Sequence, residues 1–72
     1  MTALNPRPVT PREAQVCRWL ALGKTQPEIA SIEGLSLHTV RTHVRRVMEK
    51  TGAATCTSAV VALIRIGAIQ LD

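Results

Sequence analysis

The first half of the chain contains two helix-start signals, each followed within about a dozen residues by a glycine, so its first two helices must be short. Residues 10–13 read Thr-Pro-Arg-Glu and residues 25–28 read Thr-Gln-Pro-Glu. A threonine followed three positions later by glutamate forms a capping box, whose two side chains accept backbone N–H groups that the helix leaves unpaired. Proline fits the first turn because its missing N–H has no helical partner there. Since Gly23 and Gly34 follow as helix terminators, the sequence predicts helices at about 11–22 and 26–33.

A longer amphipathic segment begins two residues after the second helix. Ser36 is a candidate N-cap, and the apolar residues that follow recur at steps of three and four, which predicts a helix at about 37–50. Its apolar face is formed by Leu37, Val40, Val44, Val47 and Met48. The link Gly34-Leu35 is too short for relaxed antiparallel packing, so we expect a sharp turn with Leu35 inside. Two short helices joined this way, the second of them basic, predict a helix-turn-helix.

The polar face of this third helix is strongly basic. At about 100° per residue, His38, Arg41, Thr42 and Arg45 share one arc of the helix surface. The segment has four cations (Arg41, Arg45, Arg46, Lys50) and one anion (Glu49), so it holds +3 of the net charge of +4. Such a cluster in a chain with a pI near 10.1 is typical of a protein that binds a phosphate backbone, although a solvated helix face is the plainer alternative.

The near absence of aromatic residues favours double-stranded over single-stranded nucleic acid as the partner. The chain of 72 residues has no Phe or Tyr and a single tryptophan, Trp19, which we assign to an otherwise aliphatic core. Proteins that bind single strands usually stack the bases on several aromatic rings. We therefore expect double-stranded nucleic acid as the partner.

A fourth predicted helix, at about 56–66 after an N-cap at Thr55, has more apolar surface than a small domain can bury. Arg65 is its one strongly polar side chain, and Val61 and Ala62 lie on the side that would remain exposed. Contact with a second copy of the chain would cover that side. The alternative is that part of it packs under the N-terminal arm, residues 1–8, which we expect to be flexible.

Several other classes of protein fit the sequence poorly. Cys17 and Cys56 are widely separated and no signal peptide is evident, so we expect reduced thiols in a cytoplasmic protein. The sequence has no closely spaced pair of metal ligands, so we expect no metal or other cofactor. The longest apolar run, 59–64, is too short to cross a membrane. The sequence has neither a nucleophile with a paired base nor a phosphate-binding glycine loop, so it does not predict an enzyme.

A set of short strings, in order along the chain, resembles the LuxR-type helix-turn-helix domain, most closely its acyl-homoserine-lactone-responsive, quorum-sensing branch. The strings are Thr-Pro-Arg-Glu at 10–13, Arg-Trp at 18–19, Gly-Lys-Thr at 23–25, Glu-Ile-Ala at 28–30, Gly-Leu-Ser at 34–36, Thr-Val-Arg-Thr-His at 39–43, Ala-Val at 59–60 and Gly-Ala-Ile at 67–69. The resemblance implies an all-α, four-helix domain over residues 9–72 that binds duplex DNA as a dimer and regulates transcription, with the third helix in the major groove.

The resemblance also implies roles for individual residues. Base contacts are expected from Arg41, Thr42 and Arg45, together with His38 on the same arc. Contacts to the DNA backbone are expected from Ser36, Thr39, Arg46, Lys50, Thr25 and His43, although His43 could instead pack at the edge of the core. The fourth helix is the dimer element of the family, with Ser58, Val61, Ala62 and Arg65 as the expected interface. RNA polymerase is a further candidate partner.

Four positions depart from the family pattern. Glu33 and Thr51 stand where leucine is usual. At the end of its helix Glu33 is expected to swing to solvent or meet an arginine, but an acidic group on this apolar arc should still lower stability or loosen the turn. Ala54 and Cys56 replace polar or basic residues, which predicts fewer phosphate contacts. The signal-sensing domain common in the family is absent, so the chain is either a stand-alone regulator or a piece of a longer one.

Two alternatives to this function follow from the sequence. A promoter-reading region of a sigma factor shares the helix-turn-helix strings but usually lacks a following apolar helix. A protein-interaction adaptor would keep the fold and use the fourth helix to bind a partner regulator.

Overall fold

A computed structural model describes residues 8–70, which form four α-helices and no strand. The helices are α1 Pro11–Ala21, α2 Gln26–Glu33, α3 Leu37–Thr51 and α4 Cys56–Arg65. Each predicted helix is confirmed, with its end shifted by no more than one residue. The predicted flexibility of residues 1–8 falls almost entirely outside the described residues.

Local side-chain chemistry sets the helix starts as the sequence predicts. Both capping boxes are complete: the Glu13 amide donates to Thr10 Oγ1 at 3.1 Å and the Thr10 amide donates to Glu13 Oε1 at 3.0 Å. In α2 the corresponding bonds between Thr25 and Glu28 are 3.3 and 2.8 Å long. These bonds satisfy N–H groups that a helix cannot pair by itself.

A tight turn joins α2 to α3 and sets the direction of α3. Gly34 has a φ of +68°, the left-handed conformation in which a residue without a Cβ is least strained. The Leu35 amide then donates to the Ala30 carbonyl at 2.9 Å, and Leu35 packs partly buried against the core. Ser36 caps α3 by accepting the Thr39 amide at 3.0 Å. The predicted helix-turn-helix is therefore confirmed.

Two aliphatic clusters hold the four helices together. One lies between α1, α2 and α3 and contains Val16, Ile29, Ala30, Val40 and Val44, with Trp19 packed partly buried against it. The other joins α4 to α1 and α3 and contains Cys17, Val47, Ala59, Val60, Leu63 and Ile69. Both clusters include residues of the apolar face of α3, so α3 is supported along most of its length.

Within residues 8–70 no helix is long and apolar enough to cross a membrane by itself; α3 and α4 pass that test only when taken together across a 60° bend, on length and composition alone.

Candidate nucleic-acid interface

The helix α3 has one buried face and one exposed basic face. Val40 and Val47 are fully buried, whereas Arg41, Arg45 and His38 are exposed. The periodicity of the sequence predicted this division. Because the valines fix the helix against both core clusters, the arginines project from a rigid support.

The hydroxyl groups near the start of α3 are already hydrogen-bonded within the protein. Ser36 Oγ donates to Thr39 Oγ1 at 2.9 Å while it caps the helix, and Thr42 Oγ1 donates to the His38 carbonyl at 3.0 Å. Thr25, exposed, caps α2. A hydroxyl oxygen that donates its proton still has lone pairs, so these residues can accept hydrogen bonds at the surface. To donate to DNA, Ser36 and Thr42 would have to break an existing bond, whereas Thr39 and Thr25 only accept in the bonds they make.

Lys50 differs from the exposed cations of α3. Its Nζ lies 2.6 Å from Glu13 Oε1 and donates to the Pro8 carbonyl at 3.0 Å, and only 12% of its side chain is exposed. We expected Lys50 to contact the DNA backbone, but its ammonium group is held inside the protein. Arg46, by contrast, is exposed. The exposed arginines of α3 are therefore Arg41, Arg45 and Arg46.

Glu13, the partner of Lys50, is 1% exposed, and its Oε1 accepts both the capping-box bond from the Thr10 amide and the bond from Lys50 Nζ. Burial acts to raise its pKa, but the bond from Lys50 and the Thr10 amide outweigh burial, so the pKa lies below its ordinary value. This pair was not predicted from the sequence. A signal was present, since Glu13 precedes Val16 and Cys17 by three and four residues and so lies on the buried face of α1.

His43 packs at the edge of the core, which was one of its two predicted positions. Its Nδ1 is buried and has no hydrogen-bond partner among the described residues. Burial lowers its pKa, the charges of Arg46 and Arg12 lower it further, and Glu13 opposes them. The imidazole is therefore neutral at pH 7, which does not favour an electrostatic contact with phosphate.

Glu33 is held by three side chains of α1, so it does meet an arginine. Its carboxylate accepts from Trp19 Nε1 at 2.7 Å, from Arg12 Nη1 at 3.3 Å and from Gln15 Nε2 at 3.4 Å. The arginine was among the outcomes we expected, whereas the indole and amide bonds were not. Thr51, the other residue that stands where leucine is usual, donates its hydroxyl proton to the Val47 carbonyl at 2.9 Å, so this hydroxyl is also hydrogen-bonded.

The helix α4 leaves part of its apolar surface exposed, as predicted. Val61 is 40% and Ile64 41% exposed, and both line a groove of 330 Å³ between α1 and α4. Of the other residues expected at a dimer interface, Ser58 and Arg65 are exposed and Ala62 is half-buried.

Both cysteines are free, and burial makes them poor nucleophiles. It raises the pKa of Cys17 to about 12, with Cys56 and Glu13 adding to the effect, and it also raises the pKa of Cys56. Across residues 8–70 no group of three His, Cys, Asp or Glu side chains is placed to hold a metal ion.

The family model described as "Bacterial regulatory proteins, luxR family" matches residues 7–63. This chain belongs to the LuxR family. The quorum sensing-dependent transcriptional regulator RpaR of Rhodopseudomonas palustris is 37% identical to it over 72 residues, which cover 93% of this chain and 30% of RpaR. The spore germination protein GerE of Bacillus subtilis is 41% identical over 63 residues, which cover 88% of this chain and 85% of GerE.

A solved structure of the transcription factor GerE has the same fold, with a TM-score of 0.84 and 28% identity over 92% of this chain and 100% of that one. The LuxR-family assignment makes the chain a helix-turn-helix DNA-binding domain of transcription regulators rather than an enzyme. It also argues against the sigma-factor alternative. The chain spans only 22% to 30% of the length of three of the regulators it matches, RpaR among them.

Proposed function

We propose that this LuxR-family domain binds a specific duplex sequence by inserting α3 into the major groove, and that it acts in the cytoplasm as a homodimer on an inverted repeat. The observation that carries the proposal is the pair of exposed arginines, Arg41 and Arg45, on a helix whose opposite face is buried at its three valines. In such a dimer the two copies of α3 enter successive major grooves about 34 Å apart.

The two arginines suit base recognition by their chemistry and their spacing. An arginine guanidinium can donate two parallel hydrogen bonds to the O6 and N7 atoms of guanine. Four residues advance a helix by roughly 6 Å, so Arg41 and Arg45 can reach bases about two steps apart. His38 and Thr42 lie on the same arc and complete the proposed base-reading set.

Contacts to the phosphates would set the register of α3 without selecting a sequence. We assign them to Arg46, which is exposed, and to the hydroxyls of Ser36, Thr39 and Thr25 at the starts of α3 and α2. Thr39 and Thr25 only accept in their internal bonds and so can donate to a phosphate, whereas Ser36 must release its bond to Thr39 to do so. Helix starts favour phosphate because their N–H groups and dipole attract negative charge. Lys50 and His43 are left out of this set because their side chains are engaged or buried within the domain.

We place the dimer contact on α4, at Ser58, Val61, Ala62 and Arg65, because its exposed apolar surface is suited to a second copy. The remaining surface of a bound dimer would be open to RNA polymerase.

The test begins with selection of bound duplexes from a random pool, which reports the preferred sequence and the half-site spacing. We expect Arg41→Ala and Arg45→Ala each to weaken binding to the selected duplex by roughly 1 to 3 kcal/mol and to relax preference at one base pair. Arg18→Ala is the control, since it removes the same charge from an exposed position on α1. If Arg41→Ala left the sequence preference unchanged, the base-reading assignment would be wrong.

A second candidate function is supported by the exposed surface of α4 alone. Val61 and Ile64 could bind a partner regulator while α3 contacts no DNA, which would make the chain an adaptor. Titration against random and selected duplexes at two salt concentrations separates the two functions. An adaptor shows no duplex binding even at low salt, whereas a DNA-binding domain binds both duplexes there and retains the selected one as salt rises.

A further inference from the structure

The last side chain of α2 is tied to one stripe of α1. The Glu33 carboxylate is only 17% exposed and accepts hydrogen bonds from Arg12, Gln15 and Trp19. These three donors lie three and four residues apart, so they share one face of α1. The carboxylate therefore fixes the end of α2 relative to α1.

An acidic residue at this position does little for α2 itself. It lies at the negative end of the helix dipole, and the last turn of α2 contains no basic side chain to offset it. The carboxylate instead fixes the orientation of α2 relative to α1, because a hydrogen bond to a charged group has a defined geometry whereas aliphatic contacts do not.

The place of this contact in the chain connects it to α3. Glu33 is followed at once by Gly34, whose left-handed turn leads into α3 at Leu37. The aliphatic cluster between α1, α2 and α3 resists separation of the helices but defines their rotation less strictly. We infer that Glu33 is a positioning residue for DNA binding, which holds the helix-turn-helix at the angle that lets α3 read bases. The inference rests on the proposed function.

The bond from Trp19 should contribute most of this effect. At 2.7 Å it is the shortest of the three, and it joins the carboxylate to a rigid ring that packs on the core. Arg12 is 50% exposed and its contact is 3.3 Å long, so water and salt weaken it. The Gln15 contact is longer still, at 3.4 Å.

Five variants test the inference: Glu33→Ala, Trp19→Phe, the double variant of these two, Glu33→Gln and Arg12→Ala. Each is titrated against a duplex selected by the wild-type protein and against a random duplex of equal length, at several salt concentrations. Circular dichroism confirms that the variant is folded at the temperature used. Trp19 is the single tryptophan of the chain, so its fluorescence reports directly on the loss of its partner in the Glu33 variants.

We expect Glu33→Ala and Trp19→Phe each to weaken binding to the selected duplex by about tenfold, because a smaller fraction of molecules holds α3 in the binding geometry. Binding to the random duplex and the salt slope should not change, since no phosphate contact is lost. The double variant should be no weaker than either single one. Glu33→Gln should stay near wild type because its amide oxygen can still accept from the indole, and Arg12→Ala should lose no preference for the selected duplex.

A folded Glu33→Ala that retains its preference for the selected duplex would overturn the inference. Equal losses on both duplexes, or additive losses in the double variant, would also overturn it. If Glu33→Ala did not fold, Trp19→Phe would decide the matter, since it keeps an aromatic ring against the core and removes the indole N–H that binds Glu33. Failure of the wild-type protein to bind any duplex would instead contradict the proposed function, and the inference with it.

Discussion

At the scale of single residues, the ion pair between Glu13 and Lys50 is the least expected feature of the domain. A carboxylate that is 1% exposed is costly unless charged or polar partners replace its water. The Thr10 amide and Lys50 Nζ supply those partners at 3.0 and 2.6 Å. The pair links the start of α1 to the last turn of α3, so one of the cations of α3 stabilises the fold.

Replacement of Lys50 should therefore lower the stability of the domain. We expect Lys50→Met to lower the free energy of unfolding by about 3 kcal/mol, because it leaves Glu13 buried without a counter-ion. Lys24→Met, at an exposed position, should change it by no more than about 0.5 kcal/mol. Denaturant unfolding measures both. If folded Lys50→Met instead flattened the salt slope of duplex binding by about one unit, Lys50 would contact a phosphate after all.

Acid should destabilise the domain through two groups, His43 below pH 6.5 and Glu13 below pH 4.5. The pKa of His43 is lowered from 6.5 by burial and by Arg46 and Arg12, against Glu13, so the unfolded chain takes up a proton first as the pH falls below 6.5. Stability then decreases until the native imidazole is also protonated. The pKa of Glu13 is lowered from 4.5, so its contribution is present above that value and is lost as the pH falls through its native pKa.

Unfolding by denaturant at a series of pH values should show both losses. His43→Gln should remove the decrease that begins near pH 6.5, the ordinary pKa of histidine, and leave the one below pH 4.5 in place. His38→Gln is the matched control, since that imidazole is exposed. Equal stability of wild type and His43→Gln across the whole range would contradict the burial of a neutral imidazole.

At the scale of the helices, the sequence predicts those features that depend on neighbouring residues. Helix starts follow from capping boxes that span four residues, and the faces of α3 follow from its 3.6-residue period. The pairing of Glu13 with Lys50 joins residues 37 positions apart, and that of Glu33 with Trp19 joins residues 14 apart. No local pattern specifies such distant partners. For this reason the sequence identifies Arg41 and Arg45 as exposed but does not reveal that Lys50 is paired with Glu13.

The turn between α2 and α3 provides a prediction at this scale. Gly34 and Gly52 have φ values of +68° and +73°, and a Cβ added at either would meet no atom within 4 Å. Gly34→Ala and Gly52→Ala should therefore lower stability by a similar amount, about 1 kcal/mol, through backbone strain alone. Only Gly34→Ala alters the link to the start of α3, so it alone should weaken binding to the selected duplex beyond this shared loss. Thermal unfolding and duplex titration measure the two effects, and equal losses of binding would contradict the role of the turn.

At the scale of the whole molecule, α4 has one side buried in the core and one apolar side exposed to solvent. Ala59, Val60 and Leu63 are buried against α1 and α3, while Val61 and Ile64 remain half exposed on the same helix. A ten-residue helix can bury only one side in a domain of this size. The exposed side is therefore free to join two copies without disturbing the support of α3.

The dimer proposal can be tested by one charged substitution on that exposed side. Val61→Glu should weaken self-association at least tenfold, since pairing would desolvate two carboxylates across the two-fold axis. The variant should still bind a single half-site as the wild type does, because α3 is untouched, and should lose the extra affinity that a dimer gains on an inverted repeat. Ile32→Glu, at an exposed apolar position on α2, is the control. Sedimentation equilibrium and titration against one and two half-sites measure these effects; unchanged self-association in Val61→Glu would move the interface away from α4.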